Sequence, residues 1–259
     1  MSYWTNYGET QILNTFCGTT AIAPTTMFLG LFLSNPGEVG SGAEISYNGY
    51  ERMPITFTAP SESSLGVSVT NSADITFARS TQTVGNVTYI GIMDSQVSGN
   101  IWAYNKIEGD ALIVDADVTP LFKAGTIIFE SRGNFSVLMK TRTLNLFRGV
   151  NLDGFAPAFA PFSGDPESGG AELSGVNYAR VPLDYNTPTE QASGQMMIQN
   201  NAVTSGIAGD TWGVWAHSAI MDAVSGGDCI AHFPQNTPQI VGKNRAFDIA
   251  AGDLPILLN

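Results

Sequence analysis

The apolar positions of this chain fall in short runs bounded by Gly, Pro, Asn and Ser, the pattern of strands joined by turns rather than of long amphipathic helices. MFLGLFL (Met27–Leu33) is apolar on both faces, as a buried strand would be. Strands are predicted around Ser68–Phe77 and Val84–Met93, followed by a DSQVSGN hairpin (Asp94–Asn100), a return strand at Ile101–Tyr104 and a closing strand after Gly125. A helix-like segment, GETQILNTF, precedes them and stops at Gly18, and a turn rich in Pro and Gly, SNPGEVGSG, follows the first strand.

The same pattern then runs a second time. AEISYNGYERMPITF from Ala43 matches AELSGVNYARVPLDY from Ala171 at a displacement of 128 residues, with Glu44, Tyr50, Arg52 and Pro54 recurring as Glu172, Tyr178, Arg180 and Pro182. Gly85–Tyr104 matches Gly213–His232 at the same displacement, with Ile92, Met93 and Asp94 repeated as Ile220, Met221 and Asp222. KTRTLNLF ending at Gly149 repeats the helix, SGDPESGG the turn, DAVSGGD the hairpin and Gly252 the closing glycine. Such self-similarity predicts an internal duplication. The expected fold is mostly β: two tandem β-sandwich domains, jelly-roll-like or partial barrels, each with a short N-terminal helix. The first copy is placed at 1–130, a linker at 131–140 and the second copy at 141–259.

Composition agrees with this class. Gly 28, Pro 13 and charged residues at 13% describe a turn-rich chain, and 43% hydrophobic residues suffice for a real core. No apolar run reaches the roughly 20 residues of a membrane span. The N-terminus lacks the basic and apolar regions of a secretory signal, so synthesis in the cytoplasm is the expectation. A net charge of −12 with scattered cations disfavours phosphate backbones and anionic membranes, hence no nucleic acid and no membrane as partners.

Duplication tests each candidate catalytic group against its counterpart. His217 and His232 stand where the first copy has Tyr89 and Tyr104, and Cys229 stands where it has Ile101. The histidines read as semi-buried planar groups and the cysteine as a small hydrophobe. Cys17 and Cys229 form no CxxC pair. Asp94 and Asp222, each before a Gly-containing hairpin, read as turn aspartates that accept backbone N–H groups, with a calcium ligand as the other reading. The i, i+2 spacing of Tyr50 with Arg52, and of Tyr178 with Arg180, puts each pair on one strand face, where Glu44 or Glu172 would complete an inter-strand brace. No catalytic residue, metal site or cofactor is expected.

The copies differ most at their first strand. Phe155–Phe162, FAPAFAPF, carries Pro157 and Pro161, which remove two backbone donors and predict an edge strand or extended arm. Phe155, Phe159 and Phe162 then need burial over the first copy or against another subunit. Trp212 and Trp215, three residues apart on a strand, point to opposite faces, so at least one is expected at a surface that packs on a protein or a sugar ring.

Taken together, the helix ending at Gly18, the LGLFL strand, Glu44 with Tyr50 and Arg52, NSADITFA, GIMD and KAGTIIF resemble the small tail-fibre-like virion structural proteins of tailed bacteriophages. In the second copy Glu172–Arg180 and Ala251–Asp253 carry the resemblance, while FAPAFAPF departs from it. The resemblance implies a non-enzymatic virion structural protein and does not place it on the particle; the expectation is a tail, neck or fibre-attachment component that contacts other virion proteins and, through FAPAFAPF, itself as a homo-oligomer. Capsid decoration and carbohydrate recognition are the alternatives.

Overall fold

The structure, a computed structural model, describes residues 2–63, 66–109, 112–191 and 194–258. The first copy runs β1 (Ser2–Trp4), α1 (Asn6–Leu13), β2 (Met27–Phe32), β3 (Met53–Ile55), β4 (Ser61–Ser63), β5 (Gly66–Thr70), β6 (Ile75–Thr76), β7 (Gly85–Val87), β8 (Tyr89–Met93), β9 (Ile101–Lys106), β10 (Leu112–Val114), β11 (Leu121–Phe122) and β12 (Ile128–Ser131). The second runs α2 (Val137–Asn145), β13 (Ala158–Phe162), β14 (Val181–Pro182), β15 (Thr189–Gln191), β16 (Gly194–Met197), β17 (Val203–Thr204), β18 (Gly213–Met221), β19 (Cys229–Val241), β20 (Asp248–Ile249) and β21 (Ile256–Leu258).

Strand order repeats with the sequence. The sheet β3-β2-β8-β9, extended by β1, has the counterpart β14-β13-β18-β19; β4-β5-β12 has β15-β16-β21; and β6-β11 has β17-β20. The separate β7–β10 ladder of the first copy is continuous with the main sheet in the second, where Gly213 pairs with Val241 as Gly85 pairs with Val114. Even the ladder irregularity is shared, since the register shifts between Ile92 and Met93 and again between Ile220 and Met221. At the sheet centre Gly30 faces Gly91, and a Cβ added to Gly91 would lie 2.7 Å from the Phe32 ring. Ala160 faces Ala219 at the equivalent place.

Both helices have side-chain caps. Thr5 accepts the Gly8 N–H at 3.3 Å and Ser136 the Met139 N–H at 3.1 Å, and each run ends at a left-handed glycine, Gly18 (φ 79°) or Gly149 (φ 78°). At 8 and 9 residues the helices are too short to persist alone, so packing must hold them. That packing crosses between copies. α1 lies on β9 of its own copy and on β16 of the other, while α2 lies on β19 of its own copy and on β5 of the first. Trp4, Phe16, Phe57, Phe129, Phe135 and Phe147 join residues of both copies into one continuous core.

The FAPAFAPF segment corrects the expectation of an edge strand or extended arm. β13 is buried along its length and lies inside its sheet, between β14 and β18. In an antiparallel strand the N–H and C=O of one residue point to the same side. The Pro161 carbonyl accepts from Leu173 at 2.9 Å and the Pro157 carbonyl from Leu183 at 2.8 Å, so both prolines face the β14 side, away from β18. The ladder with β18 therefore loses no donor to either proline. Phe159 (0% exposed), Phe162 (7%) and Phe155 (9%) are covered within this same chain. Trp212 and Trp215 are interior as well, each 5% exposed. Trp212 precedes β18, and Gly213, which opens that strand, has a positive φ of 128° that breaks the simple alternation, so both rings lie against Phe247, at 6.4 and 5.3 Å.

Candidate functional site

The repeated residues converge on one motif in each copy. Glu44 sits just beyond the turn that follows β2, and Arg52 lies directly before β3. The Arg52 guanidinium grips the carboxylate with two parallel bonds, Nε to Oε1 at 2.9 Å and Nη2 to Oε2 at 2.8 Å. Its remaining arm, Nη1, donates to the carbonyls of Ser95, at 2.9 Å, and Ser98 in the β8–β9 hairpin. The second copy repeats this with Arg180 on Glu172 at 2.8 and 2.7 Å, and on the carbonyls of Ala223, at 2.9 Å, and Gly226. The guanidinium thus ties the glutamate to the hairpin carbonyls in each copy.

A tyrosine closes each clamp. Tyr50 Oη donates to Glu44 at 2.8 Å and accepts the Leu31 backbone N–H at 3.0 Å. Tyr178 Oη donates to Glu172 at 2.6 Å, and Pro161, the counterpart of Leu31, has no N–H to offer it. Pro161 therefore stands where the first copy gives its donor to a tyrosine and not to a neighbouring strand. Burial first, then the adjacent carboxylate, pushes both phenols far above their ordinary range, so they stay protonated. Burial raises Glu172 but the Arg180 and Tyr178 bonds outweigh it and hold the carboxyl below its usual range.

The hairpins are closed from inside by the aspartates. Asp94 accepts the Asn100 N–H at 2.7 Å and the Asn100 amide at 2.9 Å, and Asp222 accepts the Asp228 N–H at 2.7 Å. Gly99 and Gly227 make that approach possible, since an added Cβ would come within 2.3 and 2.1 Å of the aspartate Oδ1. Here the copies differ in charge. Arg142 on α2 binds Asp222 at 2.9 Å and Asp228 at 2.8 Å, whereas its counterpart in the first copy is Gln11 and that of Asp228 is Asn100. The extra anion and the extra cation arrive together, a covariation between copies that the sequence carries.

The histidines are neighbours in space, with ring centroids 6.3 Å apart, matching Tyr89 and Tyr104 at 6.4 Å. Glu167 meets His232 Nε2 at 3.2 Å and Asp165 lies 3.6 Å from its Nδ1. Among the described residues no group of His, Cys, Asp and Glu has the arrangement to hold a metal ion. Burial pushes the Cys229 thiol up to about 12, and the Cys17 thiol is also raised, first by burial and then by Asp184, so both thiols remain protonated. Pro54 and Pro182 pair with Phe28 and Ala158 on equivalent edge strands. A further site without any sequence signal is Glu9, fully buried on α1, whose Oε2 accepts the Gln195 N–H of the other copy at 2.7 Å.

In each copy the guanidinium, carboxylate and phenol of the motif brace a hairpin. The family model described as podophage GP4 fiber I protein gp80 matches residues 3–130 and 134–256. The chain belongs to this family. It is a phage tail-fibre family, so the protein is a virion structural component built from two tandem copies of the family's domain. No curated protein matches the chain. No helix among the described residues is long and apolar enough to cross a membrane.

Proposed function

We propose that the chain attaches or extends a fibre at the phage tail or neck, acting through protein–protein contacts and without catalysis. The observation that carries this reading is that the fibre family matches twice along one chain, over both copies. The clamps support it. In each copy the charged residues that could meet a substrate are bound to one another, and what faces outward is a braced hairpin with an apolar tip, Val97 at 77% exposure and Val224 at 50%. Such tips suit contact with other virion proteins and with further copies of the chain. The aromatic residues that would have formed a sugar platform, Trp212 and Trp215, are interior, so nothing favours the carbohydrate alternative. Antibody-gold labelling of whole particles tests the proposal. Label confined to the tail or neck is expected, and label spread over the capsid faces would replace this reading with capsid decoration.

A further inference from the structure

The contacts between the copies come in pairs that exchange when the copies are exchanged. Trp4 stacks on Phe147 with ring centroids 4.9 Å apart, and their counterparts Phe135 and Phe16 stack at 5.9 Å. Phe57 meets Phe147 at 5.3 Å, and their counterparts Tyr185 and Phe16 meet at 6.1 Å. Ala21 and Leu152 are counterparts of each other and form a two-bond bridge, Ala21 N–H to Leu152 O at 2.8 Å and Leu152 N–H to Ala21 O at 3.0 Å. This is the rule of an isologous two-fold interface, here between halves of one chain.

Neither half covers itself. Phe16 and Phe147 are 1% and 3% exposed and have aromatic rings of the opposite copy lying on them, and each helix is roofed by a strand of the opposite copy. The covalent connection adds little to this. Arg132, Gly133 and Asn134 are exposed, and a Cβ on Gly133 would meet nothing within 4 Å. The exchange of contacts is not complete: Glu9 binds the Gln195 backbone of the second copy, whereas its counterpart on α2 is Lys140, which has no acceptor to offer.

We infer that the junction between the copies is an interaction surface whose partner is the opposite copy, whether it comes from the same chain or from a second chain. Two chains can then exchange halves, the second copy of each closing on the first copy of the other, and so join neighbouring subunits without any new contact. Residues 132–134 act as the hinge.

The test uses the full chain with a specific protease site inserted between Gly133 and Asn134. Refolded from denaturant at rising concentration, it should yield a growing fraction at twice 27.5 kDa, which cleavage of the hinge returns to the single-chain mass with the β circular dichroism intact. A dimer that keeps its mass after cleavage is held by another surface and overturns the inference. So does a cleaved monomer that separates into two folded halves. A second measurement covers the case in which no dimer accumulates. Cleaved tagged chain and cleaved untagged chain are mixed through denaturant, and tagged first copy should recover untagged second copy in about half of the pairs, whereas no exchange overturns the inference.

Discussion

At the scale of single residues the two copies act as controls for each other. Tyr50 and Tyr178 occupy the same place in the clamp, but only Tyr50 receives a backbone N–H, because Leu31 is Pro161 in the second copy. Tyr50→Phe leaves the Leu31 donor unpaired in a buried site and should cost about 2 kcal/mol. Tyr178→Phe loses one bond and strands no backbone group, so about 1 kcal/mol is expected. Urea unfolding of the two variants checks the order, and equal losses would refute it. Glu9 gives a pH dependence. Burial, and then the nearby Glu38, outweigh the Gln195 bond and raise its carboxyl from 4.5 to about 8. A raised carboxyl favours the proton-bound folded state, so its stabilising contribution is complete below 4.5 and is lost as pH rises through about 8. Thermal melts should therefore fall across that window. Glu9→Gln, which cannot ionise, should melt above the parent at pH about 9 and flatten the profile. The i, i+2 spacing made the Tyr–Arg pairs visible in the sequence, with the neighbouring glutamates as candidate partners. The hairpin carbonyls that the arginines also hold were invisible, because a carbonyl acceptor has no residue type.

At the scale of elements, the sequence was most informative where both copies keep their chemistry and least where they diverge. Ungapped matches around Tyr89–Met93 and Gly213–Met221 carried over into equivalent strands and the same register shift. For β13 the count of prolines misled, since what matters is which side of the strand each missing donor faces. The even-numbered residues of β13 point their N–H groups at β18, and Ala160 pairs there with Ala219. Ala160→Pro removes that ladder bond and leaves a buried carbonyl unpaired, so it should cost about 2 kcal/mol or more, although two prolines are already tolerated one and three positions away. Circular dichroism on denaturation checks this, and a loss below about 1 kcal/mol would contradict the assignment of sides.

At the scale of the molecule, a repeat states which residues correspond but not which copy they pack against. Read alone it suggests two beads joined by a linker, and the helix exchange reverses that picture, because each copy's core is finished by the other's aromatic residues. Two beads would unfold in two steps, whereas halves that share one core should unfold together. Phe147 is the sharpest probe. Its ring touches Trp4, Phe57 and Phe129, all of the first copy, though it belongs to the second. Phe147→Ala removes packing from both copies at once and should cost about 4 kcal/mol, on the order of 10 °C for a chain of this size. Its counterpart Phe16 faces Phe135 and Tyr185 across the same junction, so Phe16→Ala should lower the melting temperature by a similar amount. Differential scanning calorimetry of both variants should show one transition displaced as a whole. If either variant instead split the trace into two transitions, with the transition of one copy unmoved, the copies would be thermodynamically separate and the shared core would not couple them.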